Sequence, residues 1–348
     1  MKIIFGLLFI LSFVSCTKNS DERFDKNLKT NILLSTKKIA FIQYNTKTDN
    51  YDNWQNHLGD IFIYNLIDSS LVKYSSDGYR EEALCWSPDG RKLLFASPRK
   101  QFLAPTHEYP EATKCLYLFT LDLLTGDIKE LTPECLSDGN IHYITGLAWL
   151  NDGIYLTTFD NMIYKVNENG VTSETTFIFD RKYKIRGLKV SNNENYLALE
   201  IKDENTKNSN IALYKISKSA VNIFDINYNL GGWSFDDKSL LLIRKDSVFT
   251  FNINSQEISD LKLFGNNDST KVYDCYWLSN NELLEVSGEN YHSPLYKKSI
   301  RDLNQNRAII IENIKSGKLQ TLLMDSHEPR NFVVFNKSRD ILSKDIFK

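Results

Sequence analysis

Residues 83–97 read ALCWSPDGRKLLFAS, and this stretch decides the fold. Apolar residues lead up to Trp86, the turn Ser-Pro-Asp-Gly (87–90) reverses the chain, and a second apolar run follows. Pro fixes the φ angle that opens such a turn, and Gly supplies the positive φ that closes it. The stretch therefore predicts a β-hairpin with an aromatic residue at the end of its first strand.

Weaker copies of this hairpin recur along the chain. At successive intervals of 63, 41, 43 and 44 residues they are anchored by Trp149, Val190, Trp233 and Trp277. The same register reaches back to Leu34 ahead of a strand at 39–44, and forward to Phe335. A second hairpin follows within the unit, as in residues 115–131 and 308–323. Four short strands in a unit of about forty residues are typical of a propeller blade.

Six repeat intervals separate Leu34 from Phe335. They predict an all-β fold, a six-bladed β-propeller of four-stranded antiparallel blades. The ring closes if the C-terminal strand at 331–335 pairs with the first blade. Residues 341–347 add one more apolar segment, so a propeller of seven blades, one of them split, is the alternative. Helical repeats are excluded, because no stretch keeps a 3.6-residue apolar period beyond two turns.

The motif Trp-Ser-Pro-Asp-Gly, followed by a Leu-Tyr-Leu-Phe strand and a Leu-Thr ending, resembles the propellers of TolB and of prolyl oligopeptidase relatives. The resemblance covers nearly all of residues 30–348 and implies a TolB-like propeller. Prolyl oligopeptidases attach a hydrolase domain with a Gly-x-Ser-x-Gly elbow to such a propeller. This sequence contains no such elbow, no Gly-rich phosphate loop and no Cys-x-x-Cys pair.

The amino terminus has the layout of a signal peptide. Lys2 precedes an apolar run at 3–14, which is shorter than the roughly 20 residues that span a bilayer as a helix. The run ends at Ser15-Cys16, which resembles the lipobox of bacterial lipoproteins, although Phe13 replaces the usual Leu. In that motif the cysteine is lipidated and becomes the first residue. An ordinary secretory signal, with Cys16 as a bystander, is the alternative.

The sequence therefore predicts three segments: a signal peptide at 1–15, a lipidated flexible tether at 16–30 and one propeller domain at 31–348. The tether residues that follow Cys16 are polar and have no apolar period. The acidic pair Asp21-Glu22 resembles the surface-export signals of Bacteroidetes lipoproteins. We expect an exported protein that is lipid-anchored in the outer membrane, facing the periplasm or the cell surface.

The charge balance limits the classes of partner that the protein can bind, and the positions of the cysteines indicate which of them are free. Without Lys2, 41 basic residues face 44 acidic ones, so no strong field recruits nucleic acid or anionic lipid. Membrane contact is expected through the lipid anchor. Cys85 and Cys275 sit beside tryptophans in predicted inner strands and are expected to be free and buried. The pair Cys115 and Cys135 is the one that we would test for a disulfide.

Long connections between the second and third strands fall in blades one, two and six, at 45–58, 98–113 and 288–307. In a four-stranded meander these connections leave the same face as the links between blades, and the three blades are neighbours in the ring. Loops on a rigid scaffold are the usual place for binding. The candidate binding residues on this face are Tyr51, Trp54, His57, His107, Tyr109, His142, Tyr291, His292 and His327.

Two classes of function remain. The absence of a catalytic motif favours a non-catalytic binding or scaffolding module for a glycan, a peptide or an envelope protein. The alternative is a carbohydrate-active envelope enzyme, a lyase or glycosidase, with its site in the central pocket. Carboxylates or histidines that converge in that pocket would indicate such an enzyme.

No metal or other cofactor is predicted, because the histidines lack the close spacing of a known site. Turn chemistry explains Asp89, Asp236 and Asp237, and the basic cluster at 181–184 is interpreted as a solvated connection.

Overall fold

The computed structural model describes residues 28–45, 58–75, 79, 81–99, 117–131, 144–159, 161–169, 172–244, 247–261, 263, 270–289, 307–325 and 329–336. A helix over residues 28–34, named α1, leads into the first strand. No helix in these ranges is long and apolar enough to cross a membrane.

Strands account for most of the described chain. Strands β1 to β12 are Lys37–Asn45, Leu58–Asn65, Leu71–Lys73, Glu82–Trp86, Lys92–Ser97, Tyr117–Asp122, Ile128–Glu130, Ile144–Leu150, Gly153–Thr158, Met162–Val166, Thr172–Ile178 and Tyr183–Val190. Strands β13 to β24 are Tyr196–Asp203, Ser209–Lys215, Ala220–Phe224, Asn229–Trp233, Ser239–Arg244, Ser247–Asn252, Ile258–Leu261, Thr270–Ser279, Glu282–Glu289, Arg307–Asn313, Lys318–Asp325 and Pro329–Asn336. A 3-10 turn, Ile216–Lys218, links β14 to β15.

These strands form six four-stranded antiparallel sheets, the blades of a six-bladed propeller. From the axis outward, blade 1 is β24-β1-β2-β3, and blades 2 to 6 each take four consecutive strands from β4 onward. Blade 1 joins the two ends of the chain, because β24 pairs antiparallel with β1, with Val334 opposite Ile39. The predicted fold, with closure by the C-terminal strand, is confirmed.

The two faces of the ring differ in their connections. We call the face where second strands end and third strands begin the loop face, and the face with the tight turn after each inner strand, such as 87–90, the turn face. The three long connections predicted from sequence link β1 to β2, β5 to β6 and β21 to β22, and all of them leave the loop face of adjacent blades. Their positions are as predicted.

The predicted register of the repeat is also confirmed. At equivalent places in the first hairpin, the inner-strand residues Trp86, Trp149, Val190, Trp233 and Trp277 stand opposite Leu93, Ile154, Leu197, Leu240 and Leu283. Each of the four tryptophans packs in the core between its own blade and the preceding one. Three of them are buried and Trp277 is partly buried.

Blade 1 departs from this register in two ways. Leu34, which the sequence pattern counted as the first copy, lies in α1 and is exposed. The inner-strand position is filled instead by Phe335, which stands opposite Lys38 rather than opposite a leucine. The reason is the ring closure, since the inner strand of this blade comes from the other end of the chain.

Lys38 is fully buried and fastens α1 to the turn face. Its Nζ donates hydrogen bonds to the carbonyl of Ile32, at 3.1 Å, and to the carbonyl of Gly90 in the turn of blade 2, at 2.7 Å. The amine lies 5.0 Å from the centre of the Trp86 ring. Burial lowers the pKa of Lys38 to about 7, against the opposing effect of Asp89. The lysine thus joins the helix to blades 1 and 2.

Two cysteines are described, and both pack as small apolar residues. Cys85 and Cys275 are buried free thiols, and burial raises the pKa of both. The expectation for this pair is confirmed. Cys115 and Cys135 lie outside the described residues, so their pairing stays a prediction.

Candidate functional site

A cavity of about 690 Å³ lies on the propeller axis. Its walls are the inner strands β4, β8, β12, β16 and β20, with residues from the turns that follow them. Both apolar and charged side chains line it, and the charged ones cluster on the side of blades 4 to 6. This channel is the candidate site, because inner strands present their edges to it and hold its side chains on a rigid frame.

A β-bulge recurs on every inner strand, near its loop-face end. In four blades one extra residue interrupts the pairing with the second strand, and these residues are Ala83, Thr145, Arg186 and Tyr273. Gly231-Gly232 in β16 and 331–332 in β24 provide the corresponding irregularity in the other two blades. A bulge re-aims a side chain relative to a regular strand. All four of the extra residues line the cavity.

A polar cluster joins the inner strands of blades 4 and 6. Lys189 in β12 forms an ion pair with Asp274 in β20, with 3.1 Å between Nζ and Oδ2. The hydroxyl of Tyr276 donates to the same Oδ2 at 2.8 Å, and its oxygen accepts a hydrogen bond from the amine of Lys189. Both members of the ion pair are about one-fifth exposed. The cluster thus connects two blades that are not neighbours.

Two glycines of blade 5 allow its inner strand to lie close to that of blade 6. A Cβ atom at Gly231 would lie 2.7 Å from the sulfur of Cys275, and one at Gly232 would lie 3.2 Å from the Cα of Tyr276. A side chain at Gly231 would therefore clash with Cys275, and one at Gly232 would crowd Tyr276. The absence of side chains at these two positions allows β16 to pack closely against β20.

A second carboxylate, Glu200, borders the same cavity. Its Oε2 accepts a hydrogen bond from the backbone N–H of Leu230 at 2.9 Å. Burial raises the pKa of Glu200, and the neighbouring charge of Asp274 adds to that effect, whereas Lys189 and Arg186 oppose it. Two carboxylates with different surroundings therefore line the channel: Asp274 is paired with a lysine, whereas the pKa of Glu200 is raised by burial.

Basic and aromatic residues meet at the loop-face rim of blades 3 and 4. Phe159, between β9 and β10, is 36% exposed. The amine of Lys184 lies 5.2 Å from the centre of its ring, and the guanidinium of Arg186 lies 5.3 Å from it. Cations at such distances are attracted to the face of an aromatic ring. The ring therefore restrains both cations beside the channel mouth.

The candidate residues chosen from sequence are not among these. Cys16 and all nine candidate binding residues lie outside the described residues: Tyr51, Trp54, His57, His107, Tyr109, His142, Tyr291, His292 and His327. The strands that flank their connections are described, and they end on the loop face. Within the described ranges, no group of three His, Cys, Asp or Glu residues could hold a metal ion.

Sequence reasoning missed the channel residues. Counting back from the tryptophan position of each blade would have aligned Thr145, Arg186 and Tyr273, each four residues before its anchor. Nothing in the sequence signals that Lys189 meets Asp274, since 85 residues and a whole blade separate them.

Comparison with known proteins agrees with this architecture. No protein-family model matches the chain, and no curated protein matches it in sequence. The crystal structure of TolB from Acinetobacter baumannii superposes with a TM-score of 0.53 at 14% identity, over 86% of this chain and 66% of that one. This chain thus spans about two thirds of that protein's length. A candidate TolB from Agrobacterium tumefaciens superposes with a TM-score of 0.53 at 10% identity, over 83% of this chain and 90% of that one. The likeness shows the fold, a six-bladed propeller of the TolB type.

Proposed function

We propose that this protein is a non-catalytic envelope lipoprotein whose propeller binds a glycan, peptide or protein partner through its loop face. The observation that carries the proposal is the grouping of three long connections on one face of adjacent blades 6, 1 and 2. The candidate aromatic and histidine residues of those connections would surround the channel mouth. Aromatic anchors of this kind commonly dominate binding energy.

The position of α1 supports this orientation. Lys38 fastens the helix at the turn face, and the proposed lipidated Cys16 precedes its first described residue by twelve positions. An extended chain of that length reaches at most about 40 Å. The turn face would then lie toward the membrane and the loop face away from it, where a partner can approach. The proposed segments are the signal peptide 1–15, the tether 16–30, of which residues 28–30 lie in α1, and the propeller 31–348.

The periplasmic or surface location and the outer-membrane anchor belong to the same proposal. The TolB-like fold supports an envelope role.

Photo-crosslinking in cells tests which face carries the partner. A photoreactive phenylalanine analogue replaces Tyr109 or Tyr291 in the loop-face connections, or Lys238 or Asn254 on the turn face. Adducts of the same size from both loop-face positions, and none from the turn face, are the expected result. Adducts from the turn-face positions alone would contradict the proposal.

One observation favours the second candidate, a carbohydrate-active enzyme with its site in the channel. Glu200 and Asp274 both line the cavity; burial raises the pKa of Glu200, and Asp274 forms an ion pair with Lys189. Such a pair is a common basis for general acid–base chemistry. Release of reducing sugar or of unsaturated product from an envelope glycan by wild type, abolished by Glu200→Gln, would support an enzyme. Binding without turnover would favour the first proposal.

A further inference from the structure

The loop-face rim of blades 3 and 4 concentrates positive charge in a chain whose net charge is −2. The six-residue segment 181–186, which covers the link between these blades and the start of β12, contains four cations: Arg181, Lys182, Lys184 and Arg186. The nearby acids have local partners. Asp180 accepts a hydrogen bond from the backbone N–H of Lys182 at 3.1 Å, and Glu204 forms an ion pair with Lys207 at 3.2 Å.

Two features give this rim a fixed shape. The bulge in β12 turns Arg186 out of the strand pairing, because Ile185 pairs with Ile201 and Gly187 pairs with Glu200. The ring of Phe159 then restrains the side chains of Lys184 and Arg186, each within 5.3 Å of its centre. A guanidinium held in this way is prepared for a bidentate contact with a planar carboxylate.

The deeper wall of the channel adds hydrogen-bond acceptors. Arg186 lines the same cavity as Glu200 and Asp274, whose carboxylates accept hydrogen bonds. A ligand that reaches from the rim into the channel therefore meets cations first and acceptors next. An acidic peptide offers carboxylates to Arg186, but its acidic side chains bring no hydroxyl donors for the acceptors of the channel wall. A sugar acid has one carboxylate for Arg186 and several hydroxyl groups that can donate to Glu200.

We propose that this rim binds a carboxylated sugar residue of an acidic glycan, with Arg186 and Lys184 on the carboxylate. The inference rests on the proposed binding function of the loop face and names the chemistry of one partner. Phe159 contributes by holding the two cations in place, and the sugar hydroxyls point to the acceptors of the channel wall.

Calorimetric titration of the mature chain with alginate oligosaccharides, in which every sugar is a uronic acid, tests this site. Neutral cello-oligosaccharides and poly-glutamate serve as competing probes. Arg186→Gln and Lys184→Gln should each weaken alginate binding by about tenfold or more, as expected for loss of a charge-assisted contact. Arg186→Lys should retain part of the affinity. Lys238→Gln, an exposed lysine on the turn face, is the matched control and should bind as wild type does.

Four outcomes would overturn the inference. They are no alginate binding by wild type, equal losses in Lys238→Gln and Arg186→Gln, poly-glutamate binding as tightly as alginate, and preference for the neutral sugar. Melting temperatures within error of wild type show that the exposed Arg186 variant is folded. If alginate fails while crosslinking at Tyr109 and Tyr291 still captures a partner, the inference fails and the proposed function stands.

Discussion

The carboxylate of Asp237, in the first turn of blade 5, accepts hydrogen bonds from the backbone of Asn192, in the corresponding turn of blade 4, at 2.7 Å, and from Asn193 at 2.9 Å. Glu194 of blade 4 accepts in the same way from the backbone of Asn151 in blade 3, at 3.0 Å. Turn chemistry alone therefore does not account for Asp237. It joins adjacent blades across the turn face, from a left-handed backbone with φ of 54°.

Replacement of Asp237 by Ala should lower the stability of the ring. Two backbone donors lose their partner, and a lost hydrogen bond to a charged group costs about 1.5 to 3 kcal/mol. The left-handed φ adds strain for Ala, so Asp237→Gly, which removes that strain, isolates the loss of the hydrogen bonds. Urea unfolding should show lower midpoints for both variants than for the exposed control Lys238→Ala. Equal midpoints for all three would mean that the contact between the turns contributes nothing.

Truncation of the anchoring tryptophans should destabilise the whole propeller. Trp86, Trp149 and Trp233 are buried between blades, and a buried Trp→Ala change costs about 3 to 5 kcal/mol. Trp277 is partly buried and should cost less. Thermal melts of the four single variants measure this order. Midpoints within error of wild type for the three buried positions would refute the packing described above.

Lys38 should make stability depend on pH in the alkaline range. Its pKa is about 7 in the folded chain, below the value of about 10.4 for an unfolded lysine. Between these values the unfolded chain binds more protons, so stability rises with pH, and the penalty for burying the charge is fully present below pH 7. Lys38→Met removes the amine, and its unfolding free energy should rise less between about pH 7 and pH 10 than that of wild type. Parallel pH profiles for the two proteins would exclude this effect.

Cys16 should carry a fatty acid in the native host. The expectation follows from the apolar run that ends at Ser15-Cys16. Metabolic labelling with a fatty-acid analogue should mark wild type and leave Cys16→Ala unmarked. Equal labelling of the two proteins would contradict lipidation at Cys16.

The sequence was sufficient to predict the six-bladed ring but not the contacts between residues that line the channel. Blade number, ring closure and the register of blades 2 to 6 follow from a local pattern, in which a hairpin anchored by Trp86 repeats along the chain. The ion pair of Lys189 with Asp274 depends on tertiary geometry, because it joins the inner strands of two blades that are not neighbours. The burial of Lys38 and its contacts with α1 and blade 2 could not be predicted from the sequence either, because a lysine in a strand is normally exposed.

The candidate site was predicted only as a face. The positions of the long connections in blades 6, 1 and 2 are confirmed, while the roles of Trp54, Tyr109 and Tyr291 remain predictions.

Binding by the loop face is the central claim, and one comparison of affinities tests it most directly. With a partner identified by crosslinking or glycan array, its affinity is measured for Trp54→Ala, Tyr109→Ala, Tyr291→Ala and the turn-face control Lys238→Ala. Loss of an aromatic anchor typically costs about 2 kcal/mol or more, so at least one of the three should bind more than tenfold more weakly, with the control unchanged. Unchanged affinity in all three, with loss in the control, would place the site on the turn face.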